Sequence, residues 1–205
     1  MMNNRSDVTR IRLFRNDFLE RFTLISPAAF AVTWTIFLGF AIYASWGVTS
    51  FGMSIALVAL GVLIWTLFEY IMHRFVFHLK FTSEWGRGLI FIAHGNHHSM
   101  PGDPYRNIMP PIVSVLISCG VWFLFVQMIG DAGSVLFVGF GIGYVVYDVT
   151  HYACHQFPMR GRILGALRQH HIRHHYAKQE GNFAITAILW DRVFGTYIPK
   201  KKKRA

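Results

Sequence analysis

Charged residues and cysteines are both scarce in this 205-residue chain. Asp, Glu, Lys and Arg make up 15% of the residues, against roughly 25% in a typical soluble domain, whereas hydrophobic residues make up 53% and the mean hydropathy is +0.36. Cys119 and Cys154 are too few for a disulfide scaffold. A disordered chain would be poor in aromatic residues, and here they reach 16%. The composition therefore favours a protein that lies in lipid.

Four segments contain no charged residue at all: residues 28–48, 51–68, 108–130 and 132–147. A helix of about 20 apolar residues crosses the hydrocarbon core of a bilayer. We therefore predict four membrane spans at about residues 28–48, 51–72, 108–130 and 132–150. Only one or two residues separate the members of each pair, which predicts two tight helical hairpins. The alternative is a soluble protein with four buried helices.

The basic residues avoid both hairpin turns, which argues against that alternative. Five precede the first span, four lie between the second and third spans, and eleven follow the fourth. The positive-inside rule then predicts that residues 1–27, 73–107 and 151–205, including both termini, are cytoplasmic. The membrane would be the inner membrane of a bacterium or the endoplasmic reticulum of a eukaryote. The net charge of +10 would face anionic lipid, so no nucleic-acid partner is expected.

Eleven histidines fall into four groups, all in the segments predicted to be cytoplasmic. The groups are His73 and His78; His94, His97 and His98; His151 and His155; and His170, His171, His174 and His175. Residues three and four apart share a helix face, so we expect each group to present its imidazoles together. Imidazole binds iron, zinc, copper and nickel, and ten or more imidazoles exceed what one metal ion can hold. The pattern predicts two metal ions in a shared site.

Two acidic residues lie one helical turn before a histidine of these groups. Asp148 precedes His151, and Glu69 precedes His73. Each is a candidate to accept a hydrogen bond from a ligand imidazole, which would orient the ring. The alternative for each is a charge at a helix end or at the membrane interface.

Other polar residues near the histidines have structural interpretations. Asp191 is expected to form a structural ion pair with the following arginine or with a histidine. Asp103 and Arg106 are expected to cap their loop, although contact with a lipid headgroup is the alternative. Tyr144 and Tyr147 are predicted to be aromatic residues of the membrane interface, with contact to the substrate as the alternative.

Several longer segments carry a specific resemblance. They are LFRNDFLERFT at residues 13–23, HGNHHSMPGDPYRNIMPP at residues 94–111, YVVYDVTHYACH at residues 144–155 and NFAITAILWDRVFGTYIP at residues 182–199. Together with the histidines they resemble the fatty acid hydroxylase superfamily, and most closely the fatty acid 2-hydroxylases that act on sphingolipid acyl chains. The resemblance implies that residues 1–205 form a single all-α membrane domain, with four transmembrane helices in two hairpins and a cytoplasmic helical cap that holds a dimetal site.

Carried over motif by motif, the resemblance implies ten metal ligands, and His170 has no counterpart among them. The ten are His73, His78, His94, His97, His98, His151, His155, His171, His174 and His175. It further implies an O2-dependent monooxygenase that hydroxylates a lipid acyl chain at the carbon beside the carbonyl. Two iron ions are expected in the working enzyme, and zinc can take their places in isolated protein. Some relatives carry a cytochrome b5 domain before the first span, but only 27 residues precede it here. We therefore expect a separate electron donor, either cytochrome b5-like or a ferredoxin with its reductase.

Other functions use similar residues. Desaturases and sterol or alkane oxidases share histidine boxes, and the segment at residues 182–199 favours the hydroxylases over them. A membrane metal-binding or transport protein is the non-enzymatic alternative, but a transporter needs polar ligands within its spans. A zinc hydrolase needs only about three protein ligands and usually a carboxylate base. The number of histidines argues against it.

Overall fold

The computed structural model describes residues 10–200, which form nine α-helices and two π-helical segments. The helices are α1 (Asp17–Arg21), α2 (Pro27–Ser45), α3 (Phe51–Ile71), α4 (Glu84–Ile90), α5 (Asn96–Ser99), α6 (Pro111–Ile129), α7 (Ala132–Gln156), α8 (Leu164–Tyr176) and α9 (Leu189–Val193). The π-helical segment Met72–Phe77 continues α3, and the segment Phe91–Gly95 joins α4 to α5.

Four helices are long and apolar enough to cross a membrane, as the sequence predicts. They are α2, α3 with its π-helical extension, α6 and α7, with lengths of 19 to 27 residues and mean hydropathies of 1.6 to 2.3. Short connections join α2 to α3 and α6 to α7, so both predicted hairpins are present. The fourth helix is longer than predicted and ends at Gln156. Its later polar residues face the protein interior, so they do not end the helix.

Helix α7 is the centre of the bundle. Helices α2, α3 and α6 pack around it, and residues 133–141 of α7 are all buried. The other three helices turn large apolar side chains outward; Ile36 is 68% exposed, and Leu116 is also 68% exposed. Such outward apolar surface is expected of helices that face lipid.

Aromatic side chains fill the space between α7 and its neighbours. The ring centroid of Tyr144 lies 4.4 Å from that of Trp34 and 5.2 Å from that of Trp65. Tyr144 and Tyr147 are only 3% and 7% exposed. The expectation that these tyrosines lie at the membrane interface is therefore wrong. It failed because three helices enclose α7, which a hydropathy pattern does not reveal.

Helices α3 and α7 approach so closely that their backbones touch at two glycines. A Cβ atom added to Gly139 would overlap the backbone of Val58, and one added to Gly61 would overlap the carbonyl oxygen of Leu136. Small residues at such crossings allow close van der Waals packing in membrane proteins. The position of α7 relative to α3 therefore depends on these two glycines.

The remaining segments gather at one end of the bundle, where α3 and α7 end and where α2 and α6 begin. A buried polar network joins two of these segments. Arg106 donates to Glu20 at 2.5 Å and to the Thr23 hydroxyl at 2.9 Å, and the Asp103 carboxylate accepts from Arg10 at 3.1 Å. Asp103 and Arg106 thus close the loop onto the N-terminal segment, as the loop-capping interpretation expects.

We predict that Gly139→Ala destabilises the protein and that Gly39→Ala does not. The new methyl group at residue 139 has no space against Val58, whereas nothing lies within 4 Å of a Cβ at residue 39 in α2. Overpacking typically costs about 1–3 kcal/mol. Thermal unfolding in detergent should show a lower midpoint for Gly139→Ala than for Gly39→Ala. Equal midpoints would mean that the α3–α7 contact is not as close as described.

Candidate metal centre

Ten histidines form two clusters of five at the end of the bundle where α3 and α7 end. Within each cluster, one nitrogen from every residue lies within 4.8 Å of the others. Cluster 1 consists of His73, His78, His94, His98 and His174, and cluster 2 consists of His97, His151, His155, His171 and His175. The ten histidines that the sequence analysis names as candidate ligands therefore lie together, and His170 lies outside both clusters.

The two clusters do not follow the groups seen in the sequence. His94 and His98 belong to cluster 1, but His97 between them belongs to cluster 2. Likewise His171 is in cluster 2, while His174 is in cluster 1. The expectation that each triplet presents its three imidazoles together is wrong. Consecutive residues of an α-helix diverge by about 100°, because 3.6 residues complete a turn. Each triplet therefore contributes to both clusters and holds them side by side.

The spacing of His73 and His78 is explained by a π-helix. Five residues apart on an α-helix, their side chains would point in widely different directions. The π-helical segment Met72–Phe77 has wider turns with i→i+5 hydrogen bonds, and it brings the two ring centroids to 5.1 Å. His94 lies on the second π-helical segment. Both departures from α-helical geometry occur where a histidine must enter cluster 1.

The Nε2 atoms converge at separations that suit a metal ion. Eight pairs of Nε2 atoms lie 2.7–3.1 Å apart, including His73 with His94 at 3.0 Å and His97 with His175 at 3.1 Å. With metal–nitrogen bonds of about 2.1 Å, two ligands at right angles would be separated by about 3.0 Å. The donor set in each cluster therefore fits one metal ion with five imidazole ligands.

The protonation of the rings leads to the same conclusion. The Nδ1 atoms of His97 and His151 each lie 3.0 Å from an oxygen of Asn107, to which they donate. Both rings then have an unprotonated Nε2, yet these two Nε2 atoms lie only 2.9 Å apart. Two lone pairs at that distance repel each other unless a cation lies between them. The arrangement in cluster 1 is similar, because His73 and His174 donate through Nδ1 to the carbonyls of Phe183 and Gly181.

Burial keeps the imidazoles outside the spans neutral. Desolvation, followed by the neighbouring imidazoles, lowers the pKa of His97 and that of His171 well below the usual value. Desolvation and the proximity of His78 lower the pKa of His98 to about 4. The neutral ring is the form that binds a metal ion. The clusters are therefore ready to bind metal at neutral pH.

The two acidic candidates do not contact the imidazoles. Asp148 accepts hydrogen bonds from the Tyr144 hydroxyl at 2.6 Å and from the backbone of Met109 at 3.3 Å. Glu69 accepts from Thr186, through its backbone at 2.8 Å and its hydroxyl at 2.7 Å. In the described structure neither carboxylate bonds to a histidine, so the expected hydrogen bonds are wrong. Three backbone carbonyl oxygens and the side-chain oxygen of Asn107 take that role. No sequence motif could have indicated the backbone oxygens, because every residue has one.

His170 has a structural partner instead of a place in a cluster. Its Nε2 lies 2.8 Å from the carboxylate of Asp191, and both residues are fully buried. Asp191 also accepts from the backbone of Phe183 and Ala184, both at 2.8 Å. The expected pairing of Asp191 with a histidine is thus present as a hydrogen bond. It holds the loop whose carbonyl at residue 183 orients His73.

A cavity of about 820 Å³ lies beside cluster 2. His97 and His151 are part of its wall, whereas none of the five histidines of cluster 1, all within the described range, lines it. Most of the wall is apolar and comes from α1, from the π-helical segment after α3, from α4 and from the start of α6. Helices α3 and α6 pack on α7 but hardly on each other, and the cavity lies between the π-helical extension of α3 and the start of α6. Of the two histidine clusters in the described structure, only cluster 2 therefore borders the cavity.

We predict that the two clusters lose metal independently. The double variant His97→Ala/His151→Ala removes two of the five candidate ligands of cluster 2 and should reduce the bound metal from about two ions per chain to about one, because the loss of two donors weakens binding at that cluster. His73→Ala/His174→Ala should do the same to cluster 1. Metal analysis of purified protein measures both, with His170→Ala as the control that keeps about two ions. Loss of both ions from either double variant would contradict two separable sites.

Comparison with known proteins identifies the family. A family model described as fatty acid hydroxylase matches residues 58–196. The Arabidopsis thaliana protein named dihydroceramide fatty acyl 2-hydroxylase FAH1 is 37% identical, over 94% of this chain and 82% of its own. The Homo sapiens protein named fatty acid 2-hydroxylase is 36% identical, over 95% of this chain and 59% of its own. This chain thus spans about three-fifths of the length of the human relative.

A solved structure agrees with the sequence relatives. It is titled full-length scs7p with only the hydroxylase domain visible, and it superimposes with a TM-score of 0.83 at 30% identity, over 89% of this chain and 70% of the other. The Schizosaccharomyces pombe protein named ceramide very long chain fatty acid hydroxylase scs7 is 40% identical over 91% of this chain and 55% of its own. The family match, the sequence relatives and the shared structure show that this chain belongs to the fatty acid hydroxylase family.

Proposed function

We propose that the chain is a membrane monooxygenase that hydroxylates a lipid acyl chain at the carbon beside the carbonyl. The substrate would be a fatty acid or the N-acyl chain of a sphingolipid, as the names of its relatives suggest for those proteins. The observation that carries the proposal is the apolar cavity, which lies between the π-helical extension of α3 and the start of α6 and has His97 and His151 of cluster 2 in its wall.

The cavity suits a saturated hydrocarbon chain. Val76 at the end of α3 and Ile112, Val113 and Ile117 on α6 line it, and each of these side chains is at least 40% exposed. Such a surface can admit an acyl chain directly from the bilayer. Burying each methylene group contributes about 0.8 kcal/mol, so the apolar wall would bind the chain without recognising any polar group.

The placement of cluster 2 favours reaction near the polar end of the lipid. His151 lies close to the end of α7, and His97 follows α4 and its π-helical segment, both beyond the apolar middle of the bundle. Polar side chains of Asn96, Arg106 and Asn107 line the same part of the cavity. The carbonyl would lie among these groups, and the adjacent carbon would be the first methylene to reach His97 and His151.

The ten imidazoles would hold two metal ions, which we propose to be iron in the working enzyme. The ions would supply the reduction of O2 and the oxidation of a C–H bond, which no amino-acid side chain can perform. The protein binds and orients the acyl chain and keeps bulk water away from cluster 2. Because the histidine donors are neutral, the site adds no negative charge near the hydrocarbon. The two electrons would come from a separate donor, either cytochrome b5-like or a ferredoxin with its reductase.

We further propose that the end of the bundle that carries the clusters faces the cytoplasm. All three segments at this end contain basic residues, and both hairpin turns lack them. Helix α1 lies at the same end and exposes Phe18 and Phe22, which suits a position along the membrane surface. An electron donor of the cytoplasm could then reach the clusters.

We predict that a reporter fused after Ala205 is cytoplasmic and that one inserted in the turn between α2 and α3, at Thr49, is on the opposite side. The asymmetry of Lys and Arg sets this orientation. Two reporters measure the orientation at each position: one is active only in the cytoplasm, and the other is active only outside it. If the reporter after Ala205 faces away from the cytoplasm, the orientation is the reverse of the one proposed.

We predict that the purified protein with iron, lipid and O2 alone is nearly inactive and that a reduced donor restores turnover. In 18O2, mass spectrometry of the acyl product should show one labelled oxygen at the carbon beside the carbonyl. His97→Ala should abolish this product, while His170→Ala should keep substantial activity if the protein remains folded. A new double bond would instead indicate a desaturase, and label from water alone would contradict a monooxygenase.

A further inference from the structure

One buried residue provides hydrogen-bond acceptors for two ligands of cluster 2. Asn107 is 2% exposed and lies in the loop before α6. Its side-chain Oδ1 accepts from the Nδ1 of His97 at 3.0 Å, and its backbone oxygen accepts from the Nδ1 of His151, also at 3.0 Å. Its amide nitrogen donates to the carbonyl of Pro101 at 3.1 Å, which determines which way the amide points.

Within residues 10–200, two other rings of cluster 2 lack such a hydrogen bond on Nδ1. The Nδ1 atoms of His171 and His175 are buried, and neither has a hydrogen-bond partner in the part of the chain that the structure describes. The two rings that Asn107 orients are also the two that line the cavity. The orientation of the two rings that face the cavity, His97 and His151, therefore depends on Asn107.

We propose that Asn107 is a positioning residue that orients His97 and sets the metal affinity of cluster 2 alone. The inference rests on the proposed metal binding and concerns the cluster that faces the cavity. An acceptor on Nδ1 keeps the proton there and leaves Nε2 free for a metal ion; it also makes the ring a better donor. Without the Oδ1 acceptor, His97 can rotate or carry its proton on Nε2, where it cannot bind metal.

Asn182 provides a matched control, because it is an equally buried asparagine on the other side of the centre. It is next to Gly181 and Phe183, whose carbonyls accept from His174 and His73 of cluster 1. Its φ of 57° is left-handed, and its amide bonds to the backbone of His170 and Ile198. A substitution at residue 182 should therefore act on cluster 1.

The test is titration of metal-free full-length protein with Co²⁺, followed by its visible spectrum, for three variants. Asn107→Leu keeps the size but removes the acceptor, and Asn107→Asp keeps an oxygen in place. Asn182→Gly keeps the left-handed backbone but removes the side-chain bonds. Loss of such a supporting hydrogen bond typically weakens metal binding about 10–100-fold.

We expect Asn107→Leu to weaken the binding of one of the two Co²⁺ ions by about that factor, and Asn107→Asp to restore it with a shifted spectrum. The change caused by Asn107→Leu should disappear in a His97→Ala background but persist in a His174→Ala background, because coupled residues are not additive. In Asn182→Gly, the Co²⁺ ion of cluster 1 should be the more weakly bound of the two.

Equal weakening of both ions in Asn107→Leu, or no weakening of either, would overturn the proposal. If Asn107→Leu does not fold, Asn107→Asp decides, since an unchanged Co²⁺ spectrum would show that residue 107 does not act on the metal. Co²⁺ binding is measured without lipid, O2 or electron donor. A failure of the proposed hydroxylation would therefore leave this result standing, and the reverse also holds.

Discussion

The convergence of ten neutral imidazoles is the constraint on which the rest of the structure depends. Unprotonated Nε2 atoms such as those of His97 and His151 face each other at 2.9 Å, and in a buried site such lone pairs cannot be screened by water. Two conditions would stabilise the arrangement: a cation at the centre, and acceptors behind the rings of His73, His97, His151 and His174 that keep their protons on Nδ1. The first condition supports the proposal of one metal ion in each cluster. The second is met by loop residues 107, 181 and 183, because loop carbonyls are free to accept.

Those loops are held in turn by buried carboxylates that never reach the clusters. Asp191 binds the backbone of Phe183 and Ala184, and Glu69 binds that of residues 185–187. A buried carboxylate without partners would cost several kcal/mol, but here each one collects several backbone N–H groups. The acids thus act through the loop on His73, whose Nδ1 donates to the carbonyl of Phe183. Removing either acid should therefore disturb cluster 1 without touching a ligand.

The sequence was sufficient to predict the four long apolar helices, their two hairpins and the ten histidines that converge at one end, because these depend on local composition and on residue type. Runs without charge predict helices in lipid, and ten histidines at one end of a bundle have few alternatives. The division into clusters was missed, since residues three apart on a helix, such as His171 and His174, face different clusters. The position of His73 and His78 depends in addition on the π-helical winding of residues 72–77. The acceptors at Asn107, Gly181 and Phe183 were missed because they act through carbonyls or a common amide. Tyr144 was misplaced because only the tertiary structure shows that α7 is enclosed.

The two clusters have the same donors but unequal surroundings. Each has five imidazoles, yet only cluster 2 has members in the wall of the cavity. The same loop that supplies Asn107 also supplies Ile108 and Met109 to that wall, and Arg106 joins it to Glu20. One short segment therefore orients two ligands, shapes the cavity and anchors the N-terminal helix above it. Because these contacts share a backbone, a ligand that shifted the loop would also shift the rings of His97 and His151. Cluster 1 is held by a different loop, at Gly181 and Phe183, so it would not move with them.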